Sequence, residues 1–155
     1  MYEWMDTNFY LTGICLILLA FCAWRDWEEQ RIPNLYLMRG TAIRVLLLLH
    51  EISVDGAVAI GMFAERITAA IVIFVIGMVI RRVTKDGIGM GDLKLMAVMY
   101  LYLEPKTWFT SLGISFCLGG IYALLWQMRG KGKGKISFAP FLLLGSILAV
   151  ICFFY

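Results

Sequence analysis

Six apolar runs alternate with short charged connectors along the chain, at Phe9–Trp24, Leu35–Leu49, Met62–Ile80, Leu93–Leu103, Thr107–Met128 and Phe138–Tyr155. Within each run the apolar residues are nearly continuous. A membrane β-barrel would instead alternate lipid-facing and lumen-facing residues in strands of ~10 residues, so the pattern predicts helices. No repeat, soluble domain or long polar tail interrupts it. The expected fold is all-α: one domain over residues 1–155, with six transmembrane helices, two of them short. At the helical rise, Leu93–Leu103 covers only about 16 Å and Leu35–Leu49 about 22 Å, against a hydrocarbon core of ~30 Å. Either the bilayer thins around these two or they begin below its surface. In the second case water must reach them, because bare loop backbone cannot face lipid.

Composition strengthens this picture. Hydrophobic residues make up 61% of the 155, more than a soluble domain of this size can hide. The expected solvent is a lipid bilayer. The residues before the first run, MYEWMDTN, are acidic and lack Lys and Arg. A secretory signal starts basic, so the first run reads as a retained span. Cys15, Cys22, Cys117 and Cys152 all lie in apolar runs and form no CxxC pair. They read as small buried hydrophobes rather than metal ligands or disulfides. Neither a metal nor another cofactor is expected, and nucleic acid is not an expected partner.

The net charge of +3 matters less than its distribution. Arg25 and Arg31 follow the first run, with Arg39 and Arg44 just beyond; Arg81, Arg82 and Lys85 follow the third; Arg129, Lys131, Lys133 and Lys135 follow the fifth. The remaining connectors carry Glu3, Asp6, Glu51, Asp55 and Glu104, with Lys106 and Arg66 as exceptions. Basic connectors face the cytoplasm. The expected topology is a multi-pass protein of the cell membrane with its N-terminus outside and its three basic loops cytoplasmic.

Both short runs follow an acidic motif. The first is Asp26-Trp27-Glu28-Glu29-Gln30-Arg31-Ile32-Pro33-Asn34. Pro33 cannot sit inside a continuing helix and Asn34 is a favoured N-cap, so this stretch reads as a turn before a capped helix. Its acids could simply be solvated partners of Arg25 and Arg31. The second is Gly87-Ile88-Gly89-Met90-Gly91-Asp92-Leu93-Lys94. Its glycines can adopt conformations closed to other residues and let another chain approach, and Asp92 suits the positive end of a helix dipole. A phosphate-binding glycine loop is a poor match, because no strand precedes it. Lys94 could tune Asp92 or snorkel to the headgroups. Acids near membrane depth are costly and usually functional. Two carboxyl groups sharing a site also share a proton, so one can activate water while the other protonates a carbonyl.

Taken in order, Asp26…Ile32-Pro33-Asn34 and GxGDxK resemble the type IV prepilin peptidase family, whose members are GxGD membrane aspartyl proteases. A third stretch, Ile136 to Gly145 (ISFAPFLLLG), resembles the family's IPFGPFLxxG, with Ser137 in place of the first proline and Ala139 in place of the glycine. The resemblance implies six helices, no metal, and Asp26 and Asp92 as the catalytic pair. It further implies cleavage of basic leaders from pilin-like precursors at the cytoplasmic face. Gly87, Gly89, Gly91, Lys94, Pro33 and Asn34 are the expected surroundings of that site, with Asp92 in a water-filled cavity beside Asp26. Bifunctional members carry an additional CxxC-bearing methyltransferase domain, and methyltransferase activity is not expected here. The chain thus resembles the short peptidase-only form serving Flp or archaellin-like filaments. Rival readings are a GxGD protease of other transmembrane substrates, a small proton-coupled transporter and a non-catalytic pilus assembly factor. Asp86, Glu28 and Glu29 are secondary acid candidates.

Overall fold

The computed structural model describes residues 2–29, 32–84, 89–128 and 137–154. They form six helices, α1 (Tyr2–Glu29), α2 (Asn34–Asp55), α3 (Ala57–Val83), α4 (Met90–Tyr102), α5 (Pro105–Met128) and α6 (Ala139–Phe154). No strand occurs among the described residues. Phe9–Glu29, Ala57–Val83 and Pro105–Met128 are long and apolar enough to cross a membrane. Ile71, Val72, Val75, Ile76 and Val79 of α3 are each more than half exposed. Water-soluble proteins rarely leave so continuous an apolar surface uncovered, whereas lipid solvates it. The chain is an all-helical polytopic membrane protein, as its apolar pattern predicts.

Several helices overrun their apolar runs, α1 and α2 by five or more residues at their C-terminal ends. α1 continues past Trp24 to Glu29, and Arg25 pairs with Glu28 at 3.6 Å and with Glu29 one turn on. α2 continues past Leu49 to Asp55, reaching 22 residues, about 33 Å at the helical rise. It is therefore not a short segment. The short helices are α4 and α6, with 13 and 16 residues.

The helices form two compact units, Met1–Ile32 with Glu104–Tyr155, and Pro33–Leu103. In the first unit α6 packs on both α1 and α5. α1 offers a buried stripe of Leu11, Cys15, Leu19 and Cys22, spaced so that all fall on one helical face. Cys117 and Cys152, by contrast, are exposed, and all four thiols are free. Small residues bring α5 and α6 close together, as is usual between membrane helices. A Cβ on Gly145 would lie 2.6 Å from the Ser111 carbonyl oxygen. Ser146 donates to the Leu142 carbonyl at 2.7 Å and receives the Ser111 hydroxyl at 2.7 Å.

In the second unit α2, α3 and α4 all pack on one another. Gly56 turns the chain from α2 into α3. Its φ of +59° suits glycine, and its N–H donates to the Ile52 carbonyl at 3.0 Å, closing the C-terminus of α2. α4 is apolar nearly all round, and seven of its 13 residues are buried. Its last carbonyls need partners. Arg44, only 3% exposed, donates Nε to the Leu101 carbonyl at 2.9 Å. Its other nitrogens grip Glu51 at 3.0 and 3.2 Å, a two-pronged geometry that strengthens such pairs. Its guanidinium also sits 5.0 Å above the Phe63 ring. Arg66 donates to the Leu103 carbonyl at 3.4 Å, and the Tyr102 hydroxyl bonds the Gly40 carbonyl. Arg44 and Arg66 therefore serve the end of α4, so neither acts as a plain topology charge.

Replacing Arg44 should be costly, because it leaves Glu51 unpaired and a buried carbonyl unsatisfied. Arg44→Met is expected to destabilise the protein by roughly 3 kcal/mol, read as thermal unfolding in lipid nanodiscs. Glu51→Gln should cost clearly less. Equal, small effects for both would remove Arg44 as the anchor of α4.

Candidate active site

Asp26 occupies the last turn of α1 and is only 6% exposed. It extends the buried stripe of Leu11, Cys15, Leu19 and Cys22 by four residues, while Trp27, Glu28 and Glu29 face outward. A buried carboxylate requires donors. The start of α6 supplies them. The Ala139 backbone N–H donates to Oδ2 of Asp26 at 3.2 Å, and the Phe138 N–H faces the same carboxylate. Such N–H groups have no partner within their own helix, and the helix dipole there favours an anion. The Ser137 hydroxyl donates to the main-chain oxygen of Asp26 at 2.9 Å. Residues 137–139 thus hold both the carboxylate and the backbone of Asp26. Ser137 and Ala139 are the two positions that depart from the IPFGPFLxxG pattern.

Asp92 lies in the second unit. Asp86 and Gly87 lie outside the described residues. Gly89, in extended conformation (φ −63°, ψ 138°), is the N-cap of α4, so Gly91 and Asp92 fall in its first turn. The Leu93 N–H closes that turn on the Gly89 carbonyl at 3.2 Å. Asp92 is half-buried and folds back over Gly89, where an added Cβ would lie 2.8 Å from its Oδ2. The φ of Gly89 is open to any residue, and among the described residues only Gly56 has a positive φ. At position 89 glycine therefore supplies space for a carboxylate rather than an unusual backbone. Leu93 seats against Gly77 of α3, where a Cβ would lie 2.6 Å from its Cδ2. That contact fixes the start of α4.

Pro33, not Asn34, is the N-cap of α2, and no side chain caps that end. Asn34 is the first helical residue, and its Oδ1 accepts from Nζ of Lys94 at 2.9 Å. This bond ties Lys94 to the first residue of α2. Pro33, Asn34, Gly89, Gly91, Asp92 and Lys94 thus gather around the N-terminal ends of α2 and α4. Glu28 and Glu29 are taken by Arg25. Among the described residues no three His, Cys, Asp or Glu side chains cluster to hold a metal ion.

These features define a membrane protein that buries one aspartate at the end of a long helix and sets another in the first turn of a glycine-led short one. The model of the type IV leader peptidase family matches residues 13–124, well over half of the chain. The chain belongs to that family and is a leader-peptidase-like protease. Comparison with curated proteins and with solved structures gave no match. The matched residues include Asp26 and Asp92 but stop short of residues 137–139.

Gly89→Ala is expected to displace the Asp92 carboxylate while leaving an allowed backbone. Peptidase activity should fall by about tenfold or more, in line with the cost of small misplacements of reacting groups, with the melting temperature little changed. Wild-type activity in this variant would show that the observed Asp92 geometry is not required.

Proposed function

We propose that this protein is an aspartic endopeptidase that removes the basic leader from prepilin-like precursors of the Flp or archaellin-like kind. Asp26 and Asp92 form the catalytic pair of a single peptidase domain. The observation that carries this reading is Asp26 itself: the one acid in an otherwise apolar buried stripe, held by donors from another helix. A solvated loop acid would need no such setting.

In the proposed reaction one carboxylate takes a proton from water as its oxygen bonds the scissile carbonyl carbon. The protonated partner gives its proton to the carbonyl oxygen, forming a neutral gem-diol. Collapse breaks the C–N bond, with the nitrogen protonated as it leaves, and returns the pair to its starting state. Aspartates suit this work because two neighbouring carboxyl groups cannot both ionise readily. Gly87, Gly89 and Gly91 would let the substrate backbone approach, and Pro33, Asn34 and Lys94 would fix the helix starts around Asp92.

Cleavage would occur at the cytoplasmic face of the cell membrane. Two observations support that placement. In the first unit the C-terminal end of α1 meets the N-terminal end of α6. In the second the N-terminal ends of α2 and α4 adjoin. Each unit thereby groups ends flanked by basic connectors.

Asp26→Asn and Asp92→Asn should each lower leader cleavage by about 10²–10⁴-fold with membrane insertion intact, scored by the substrate's gel shift. Retained processing in either variant would remove that residue from the pair. Disulfide crosslinking of Asp26→Cys with Asp92→Cys, on a background lacking the four native thiols, should succeed with substrate present. Failure there would argue against a shared site.

A cysteine at position 133 should label from the cytoplasmic side only. Labelling from outside intact cells would reverse the topology.

A further inference from the structure

We propose that Ser137 is a positioning residue for Asp26, an inference that rests on the catalytic role given to Asp26 above. The segment from Ser137 to Ala139 holds both the backbone and the carboxylate of Asp26. The Ser137 hydroxyl donates to its main-chain oxygen at 2.9 Å, and the Ala139 N–H donates to its Oδ2 at 3.2 Å. The two bonds do different work. The second aims the carboxylate but acts on a side chain with two rotatable bonds. The first holds the backbone from which that side chain springs.

The backbone needs holding. Asp26 lies in the last turn of α1, where helix ends fray and the final four carbonyls lack intrahelical partners. The Asp26 carbonyl is one of these four, as α1 ends at Glu29. Outward of it, Arg25, Glu28 and Glu29 form exposed pairs, which restrain a helix end only weakly. Without the Ser137 hydroxyl, the start of α6 would hold Asp26 through its carboxylate alone. That carboxylate would then be both tether and reacting group. With the hydroxyl in place the tether is the backbone, and the carboxylate keeps its aim while its proton moves.

The residue type matters. The motif that this stretch resembles has proline here, which has no hydroxyl to donate. In this chain serine supplies a hydrogen bond that proline could not.

The test compares Ser137→Ala and Ser137→Thr in nanodiscs with a prepilin-like substrate, measuring kcat and KM separately. Ser137→Ala should lower kcat by about 3- to 10-fold, the range set by one net hydrogen bond, with KM within twofold of wild type. Ser137→Thr, which keeps the hydroxyl, should restore most of the loss. An unchanged kcat in Ser137→Ala, a loss confined to KM, or a loss that threonine fails to restore would each overturn the proposal. Should the alanine variant fail to insert, Ser137→Cys takes its place. Its weak donor should give a kcat below that of threonine, and a kcat equal to wild type would overturn the proposal. Asp26→Asn run alongside separates the two readings. Cleavage by that variant defeats the catalytic role of Asp26, whereas its inactivity with a wild-type Ser137→Ala defeats only the role of Ser137.

Discussion

A backbone carbonyl or N–H without a partner costs several kcal/mol in hydrocarbon, and this constraint governs how the protein can end a helix inside its own fold. α4 is only 13 residues long, about 20 Å at the helical rise. A helix of that length cannot carry both ends to water across an apolar layer of ~30 Å. Its buried end must find partners within the protein. Arg44 and Arg66 meet that need in the second unit, and the Tyr102 hydroxyl ties the same end to the Gly40 carbonyl of α2. A guanidinium is well suited, since it can give Nε to a carbonyl while its remaining nitrogens stay paired with a carboxylate. The cost of burying Arg44 is offset by three separate contacts, on Leu101, Glu51 and Phe63. None of these residues lies in the motifs, yet they hold the far end of the helix whose first turn carries Asp92.

The same constraint operates at Asp26 with the signs reversed. The first turn of α6 has N–H groups without helical partners, and the buried Asp26 carboxylate lacks donors. Either alone would be costly. Joined, each satisfies the other, and the last turn of α1 gives up a carbonyl to Ser137 in the same way. One helix ends and another begins at a single exchange of hydrogen bonds. A carboxyl group at that place therefore partners the start of α6 while it remains available for chemistry.

Much of this is legible in the sequence, and particular residues show where legibility stops. The six apolar runs mark the six helices because lipid selects continuous apolar segments. The spacing of Leu11, Cys15, Leu19, Cys22 and Asp26 already places an acid on a buried helical face, a signal stronger than its position after an apolar run. The ends of α1 and α2 are misjudged by hydropathy, because charged residues at 25–29 and 50–55 continue a helix through pairing that an apolar count ignores. Arg44 reads as a topology charge until the carbonyl it serves appears 57 positions away. Asn34 reads as a cap because local preference favours it, but a lysine 60 residues on claims its amide. Ser137 reads only as a departure from a motif. For Arg44, Asn34 and Ser137 the deciding contact lies far along the chain.

The two aspartates also differ in how they are set. Asp26 is fixed by residues more than a hundred positions away, through bonds to both its backbone and its carboxylate. Asp92 is placed locally, in the first turn of its own helix, over a glycine whose missing Cβ leaves its carboxylate room. If the pair shares a water as proposed, these settings divide the work. One carboxylate is held and supplies a fixed reference for the reacting atoms. The other is set by the first turn of its own helix, with its carboxylate lying over Gly89. The asymmetry follows from where each aspartate sits: one at the end of a long helix against the beginning of another, the other at the head of a short one.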